Sequence, residues 1–246
     1  VGPNHVQTKQ HSITAKEHIM RSFTKTALGL TTAGLLVAGL AACSTPAAET
    51  STSSSGSSSS SSAEATPTPV ASIPSLTGVD TAVLLDADFA AALTSLGLTP
   101  GTVGTATLEE GSLHFPITGG NVDYYDPAED YRPYVQGNIE HEGSGFSLTA
   151  GETVVELTNF TIDPGTSELF GDVTANGESA ATQVKLFDLY GGTLKPLQMD
   201  GDNGILTGTT VHISAEAAEL LNATFKTDAI ADQLLVGIAT ITVNTK

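Results

Sequence analysis

From residue 103 onward, apolar and polar positions alternate in short runs, the period-two signature of strands with one buried face. Such runs cover residues 103–108 ("VGTATL"), 112–117, 134–141, 145–150, 153–162, 167–175, 182–190, 204–214 and 234–243. Turn pairs punctuate them: Glu110-Gly111, Pro164-Gly165 and Asn176-Gly177. Threonine, serine or acid fills the second face of several runs, which predicts antiparallel sheets. The fold class expected is mainly β: an antiparallel β-sandwich or partly closed barrel with one or two short helices.

Two segments change period. "DADFAAALTSLG" sets Phe89, Ala92, Leu93 and Leu96 on one helical face, with Asp86 as N-cap and Gly97 just beyond. "SAEAAELLNATF" begins at the N-cap Ser214, carries Glu216 in the dipole-favoured first turn, and brings Ala217, Leu221 and Phe225 to one side. This second helix is expected to plug one end of the β structure.

Upstream the pattern is different. "MRSFTKTALGLTTAGLLVAGLAAC" has a short basic start (Arg21, Lys25), an apolar run and then the sole cysteine. Leu40-Ala41-Ala42-Cys43 matches a bacterial lipobox. Small residues suit the peptidase, and the Cys43 thiol is the site of lipidation. The boundaries expected are a signal peptide at 20–42, a lipid-anchored Ser/Thr-rich linker at 43–75, and one β-rich domain at 76–246. Residues 1–19 precede Met20, the natural start of the signal, and read as mis-annotated leader. N-terminal peptides from 1–19 in the precursor would sink that expectation. Residues 44–72 lack the apolar side chains needed to offset ordering entropy, and as a coil they span roughly 30 Å. The expected location is the extracytoplasmic face of the cell membrane.

Charge narrows the partners. The chain has 27 acidic and 9 basic residues, a net −18, with no tryptophan. Without Lys/Arg clusters to neutralise phosphates, nucleic acid is excluded as a partner. One cysteine rules out an internal disulfide, so a hydrophobic core or bound ligand must hold the domain.

Candidate chemistry gathers at "DYYDPAEDYRPY" (123–134), where Tyr124, Tyr125, Tyr131 and Tyr134 stand among Asp123, Asp126, Glu129 and Asp130. Two readings are open. Either the rings pack on the rim while the carboxylates face water, or the loop recognises a sugar or protein surface of the cell envelope by stacking and hydrogen bonding. "DGDNG" (200–204) has calcium-loop spacing at Asp200 and Asp202, but Gly204 and Val211 break the rest, leaving a polar hairpin turn. His114 and His212 fall singly in strand patterns. No phosphate loop, nucleophile elbow, His-Glu-x-x-His or Cys-x-x-Cys is present, so the expected class is a non-catalytic binding or envelope module with no cofactor.

The succession "FPITGGNVDYY", "VQGNIEHEGSGFSLTAGETVVELTNFTIDPGTSELFGDV", "VKLFDL" and "LLVGIATITV" resembles the Htaa-type haem-uptake domain of actinobacterial surface proteins, over residues 84–243. The resemblance implies an antiparallel β-rich domain that binds haem through a tyrosine on its first helix, supported by a hairpin histidine. His141 occupies the place of that histidine. Where the tyrosine is expected, Phe89 is followed by Ala90-Ala91-Ala92-Leu93. A haem-binding accessory protein of an iron-uptake system is therefore the alternative function.

Overall fold

The computed structural model describes Gly2 and residues 67–246. The stretches read as leader and signal peptide, Cys43, and most of the linker lie outside the described residues, Gly2 apart. In chain order the elements are β1 (Ala71–Ile73), β2 (Val79–Leu85), α1 (Ala87–Ser95), β3 (Thr99–Gly104), β4 (Thr107–Glu109), β5 (Ser112–Pro116) and β6 (Gly119–Tyr124). Then follow β7 (Val135–Ala150), β8 (Thr153–Asp163), β9 (Glu168–Ala175), β10 (Glu178–Tyr190), β11 (Gln198–Asp200), β12 (Asn203–Ile213), α2 (Ala215–Phe225) and β13 (Leu235–Asn244).

All strands among the described residues join one antiparallel sheet in the order β1-β6-β7-β8-β9-β10-β12-β13-β2-β5-β4, with β3 added to β7 and β11 to β12. The sheet curls into a half-barrel, the more closed of the two expected architectures. The two sides of the sheet are joined by the chain itself. β5 runs into β6, and Thr118 N–H donates to the carbonyl of Glu140 on β7 at 2.8 Å.

A seam of bulges bends the sheet. Register shifts fall between His141 and Gly145, between Thr158 and Thr161, and between Ala181 and Val184. Asn159 and Gln183, both at positive φ, sit in that seam. The Asn159 amide accepts from Gly143 N–H and donates to Asp172, which also accepts from Gln183 N–H. These bonds satisfy groups that bulging removes from the ladder, and the extra residues curl the strands. The Asn159 amide holds the Asp172 carboxyl below its ordinary pKa, against a smaller opposing effect of burial.

Several sequence expectations are revised. Residues 134–141 and 145–150 are one strand, β7, because "EGS" is a bulge and not a loop. The run 103–108 splits: Gly104, at φ 62°, ends β3 on β7, and β4 departs to pair with β5. β1, β2, β6 and β11 were not marked by alternation. β1 and β11 have three residues each, too few for a period to register. β1 also lies within the stretch read as linker, yet pairs Ala71–Ile73 with Tyr124–Val122. "DGDNG" is a hairpin turn, with Asp200 opposite Asn203.

The helices follow their caps. The Asp86 side chain accepts from the N–H of Asp88 and Phe89, and Ser214 Oγ accepts from Ala217 N–H. α1 buries Phe89 and Leu93, and α2 buries Ala217, Ala218 and Leu221. Both close one end of the half-barrel, where Phe115, Phe160 and Phe187 stack edge to face. Among the described residues, no helix is long and apolar enough to cross a membrane.

Candidate functional site: an open apolar end

The inner face of the half-barrel is not filled evenly. Along β12, Val211 and Ile213 are buried, while Leu206 is half-exposed. Along the antiparallel neighbour β13 the order reverses: Val236 and Ala239 are buried, Ile241 and Val243 half-exposed. At the helical end lies a small cavity of about 90 Å³. At the other end a cavity of about 820 Å³ opens to solvent. That volume lies within the ~300–1,000 Å³ of small-molecule sites. Its wall is aliphatic, with Ile73 and Val122 on one side and Leu206 and Val243 on the other. Leu197 and Met199 stand at its rim, Met199 59% exposed.

The tyrosine cluster divides at this wall. Adjacent strand residues point to opposite faces. Tyr124 turns into the cavity and meets Tyr134 edge to face at 5.7 Å. Tyr125 turns the other way, buries its ring and packs on Tyr131 at 4.6 Å. The structure thus gives half of the segment to packing and half to the cavity, so neither sequence reading covers all four rings. Burial pushes the Tyr124 phenol above its ordinary pKa, with Asp126 adding to it. Burial and Tyr124 push Tyr134 up, while Arg132 opposes them. Burial raises Tyr125 as well, helped by Tyr131 and Asp123. These groups are neutral phenols at pH 7, suited to stacking and hydrogen bonding.

Arg132, which sequence reasoning passed over, lines the cavity and lies over the Tyr134 ring at 5.6 Å. Its guanidinium donates to the carbonyls of Pro127, Glu129 and Tyr131, which sets the shape of the loop. The signal available in the sequence was that Arg132 is the one cation in an acidic segment.

His141 does not join the tyrosines. It is 1% exposed, in the core beneath the helical end. Nδ1 lies 3.3 Å from the Phe160 carbonyl and Nε2 lies 2.8 Å from Thr81 Oγ1. A carbonyl only accepts, so Nδ1 carries the proton and Nε2 accepts from the threonine hydroxyl. Burial lowers the pKa to about 4, against the raising effects of the Phe160 bond and Asp80. The ring is neutral and has no lone pair free for a ligand. As a candidate ligand-binding residue His141 is corrected to a satisfied core histidine. His114 bonds Asp80 at 2.6 Å and His212 bonds the Gln233 carbonyl at 3.0 Å. No group of three His, Cys, Asp or Glu among the described residues could hold a metal.

No protein-family model matches the sequence, and no curated protein does. The chain is similar to solved actinobacterial domains. One is the C-terminal domain of HtaA from Corynebacterium glutamicum, at 15% identity and a TM-score of 0.48, over 69% of this chain and 98% of that one. Another is the haem-binding protein HtaB from the same organism, at 10% identity and a TM-score of 0.46, over 71% of this chain and 96% of that one.

Proposed function

We propose that the chain is a non-catalytic binding module, held by lipid on Cys43 outside the cell membrane, whose ligand enters the open end of the half-barrel. The observation that carries this reading is the cavity of about 820 Å³, walled by half-exposed aliphatic side chains on the inner faces of its strands. Such side chains are ordinarily covered on folding, and leaving them wet forgoes about 25 cal/mol per Å². A ligand of matching apolar surface recovers that free energy.

The decisive measurement uses a neutral solvatochromic dye such as Nile red with the purified protein. Saturable fluorescence enhancement is expected, and Val243→Phe, which fills the wall, should abolish it. A dye signal absent from the unmodified protein, or unchanged in Val243→Phe, overturns the reading. Globomycin-sensitive acylation of the expressed precursor, lost in Cys43→Ala, tests the anchor.

Haem is the second reading. The sequence resemblance implies it, but the residues at the helical end do not fit: α1 carries no tyrosine and both His141 nitrogens are engaged. What supports haem is the open end, where Tyr124 and Tyr134 would supply phenol oxygens and Arg132 a partner for one propionate. A haemin titration should then give a Soret shift that Tyr124→Phe with Tyr134→Phe removes. Persistence of the shift in that double variant counts against haem at this site.

A further inference from the structure

The charge of the open cavity differs from that of the molecule around it. In so acidic a chain, the cavity wall contains no aspartate and no glutamate among the described residues, and its one ionised side chain there is Arg132. A guanidinium has five N–H donors. Arg132 uses three of them on the carbonyls of Pro127, Glu129 and Tyr131, which leaves two. No carboxylate pairs with it among the described residues: the ion pairs there belong to His114, Lys185 and Lys246. Two free donors on a planar cation match one carboxylate.

The surroundings select against more than one negative charge. Asp126, Glu129 and Asp130 are exposed on the same segment, outside the wall, and Asp123 is half-exposed beside them. A second anionic group would have no cation in the wall and would face these carboxylates instead.

The aliphatic lining of the remaining space suits an alkyl chain. Ile162, Leu189, Thr209 and Ile241 line both the open cavity and the small one, so these side chains form the floor between the two. The walls are the inner faces of neighbouring strands. A flexible alkyl chain can lie along those faces.

From these observations we infer that the open end takes a long-chain carboxylic acid. Its carboxylate sits on Arg132, and its chain lies along the inner faces of β12 and β13. The inference rests on the binding-module reading above and adds the chemical class of the ligand.

The test is displacement of Nile red from the purified protein by palmitate, by hexadecanol and by haemin. Palmitate should displace the dye at least ~10-fold more effectively than hexadecanol, the size expected of a charge-assisted hydrogen bond. Arg132→Gln should remove the difference between acid and alcohol while dye binding persists, and Arg132→Lys should restore part of it. Arg132 also shapes its loop, so the acid–alcohol comparison in the unmodified protein is decisive even if the glutamine variant misfolds. Equal displacement by acid and alcohol overturns the inference and leaves the binding module standing. So does displacement by haemin with none by palmitate. Failure of the dye to bind at all overturns the module itself, and the inference with it.

Discussion

The two ends of the half-barrel are built from the same strands and end in opposite states. At the helical end, β8, β10, β12 and β13 present Phe160, Leu186, Val211 and Ala239, all buried beneath α1 and α2. Some residues further along β12 and β13, Leu206 and Val243 face open space. Bulges shift the inward phase of both strands along the way, but what separates the ends is whether anything lies opposite. Stability and binding can therefore be assigned to different lengths of the same strands. The helices fill one end well enough to fix the curl of the sheet, and the other end is free to remain concave.

The largest effect should come from breaking the filled end. Phe160 is 3% exposed and stands between Phe115 and Phe187, with ring centroids at 5.2 and 6.4 Å. Phe160→Ala should cost about 3–5 kcal/mol, since the helices and the bulged sheet cannot collapse into the space. Val243→Ala, the matching truncation at the open end, should cost less than about 1 kcal/mol because its side chain is already half wet. Urea unfolding midpoints compare the two. Similar losses at both sites would erase the distinction between ends.

Next in size is the pH response of His141, which belongs to the filled end alone. Its folded pKa is about 4 against 6.5 in the free side chain. Below pH 6.5 the unfolded chain takes up a proton that the folded chain refuses until about pH 4. The contribution to stability is whole above pH 6.5 and is lost as pH falls through that window. It amounts to about 3 kcal/mol. Depressed carboxylates such as Asp172 lose their contribution below the free value of 3.8, outside most of this range. Unfolding free energies at pH 7 and pH 4.5 should diverge in the unmodified protein and converge in His141→Gln.

These two ends were unequally legible in the sequence. The filled end announced itself: Phe89, Ala92, Leu93 and Leu96 fall at helical spacing, Asp86 and Ser214 are cap residues, and all were read in place. Long strands such as β8 and β13 were also plain, although a bulge breaks the alternation of each. The open end was not. Part of its wall comes from β1, β6, β11 and the segment before β7, which are short, and an inner-facing Val122 or Leu206 looks the same whether or not a neighbour covers it. Alternation reports which face a residue takes, not whether that face is filled. For His141 the strand context was visible, but its partners, Thr81 and the Phe160 carbonyl, lie 60 and 19 residues away in sequence.

A smaller effect tests how the plug is held. Ser214 Oγ both accepts from Ala217 N–H at 3.0 Å and donates to the Lys185 carbonyl at 2.8 Å, joining α2 to β10. Ser214→Ala should destabilise by about 1–2 kcal/mol, the upper part of the range for a cap, because a carbonyl loses its partner too. Binding of Nile red should be unaffected, since α2 contributes nothing to the open cavity.

A modest effect on stability should come from the tyrosine pair at the mouth, and there the two properties separate. Tyr124 and Tyr134 touch edge to face and are half-exposed, so Tyr134→Ala should cost only about 0.5–1.5 kcal/mol. The same change removes the ring beneath Arg132 and widens the cavity mouth. Ligand dissociation should therefore accelerate by a larger factor than the loss of fold stability would suggest. Tyr131→Ala, equally close in sequence but packed on Tyr125 away from the wall, is the control: a comparable change in stability with dissociation unchanged. If both variants alter dissociation alike, the loop acts as one unit, and the division of its four rings between packing and cavity has no functional meaning.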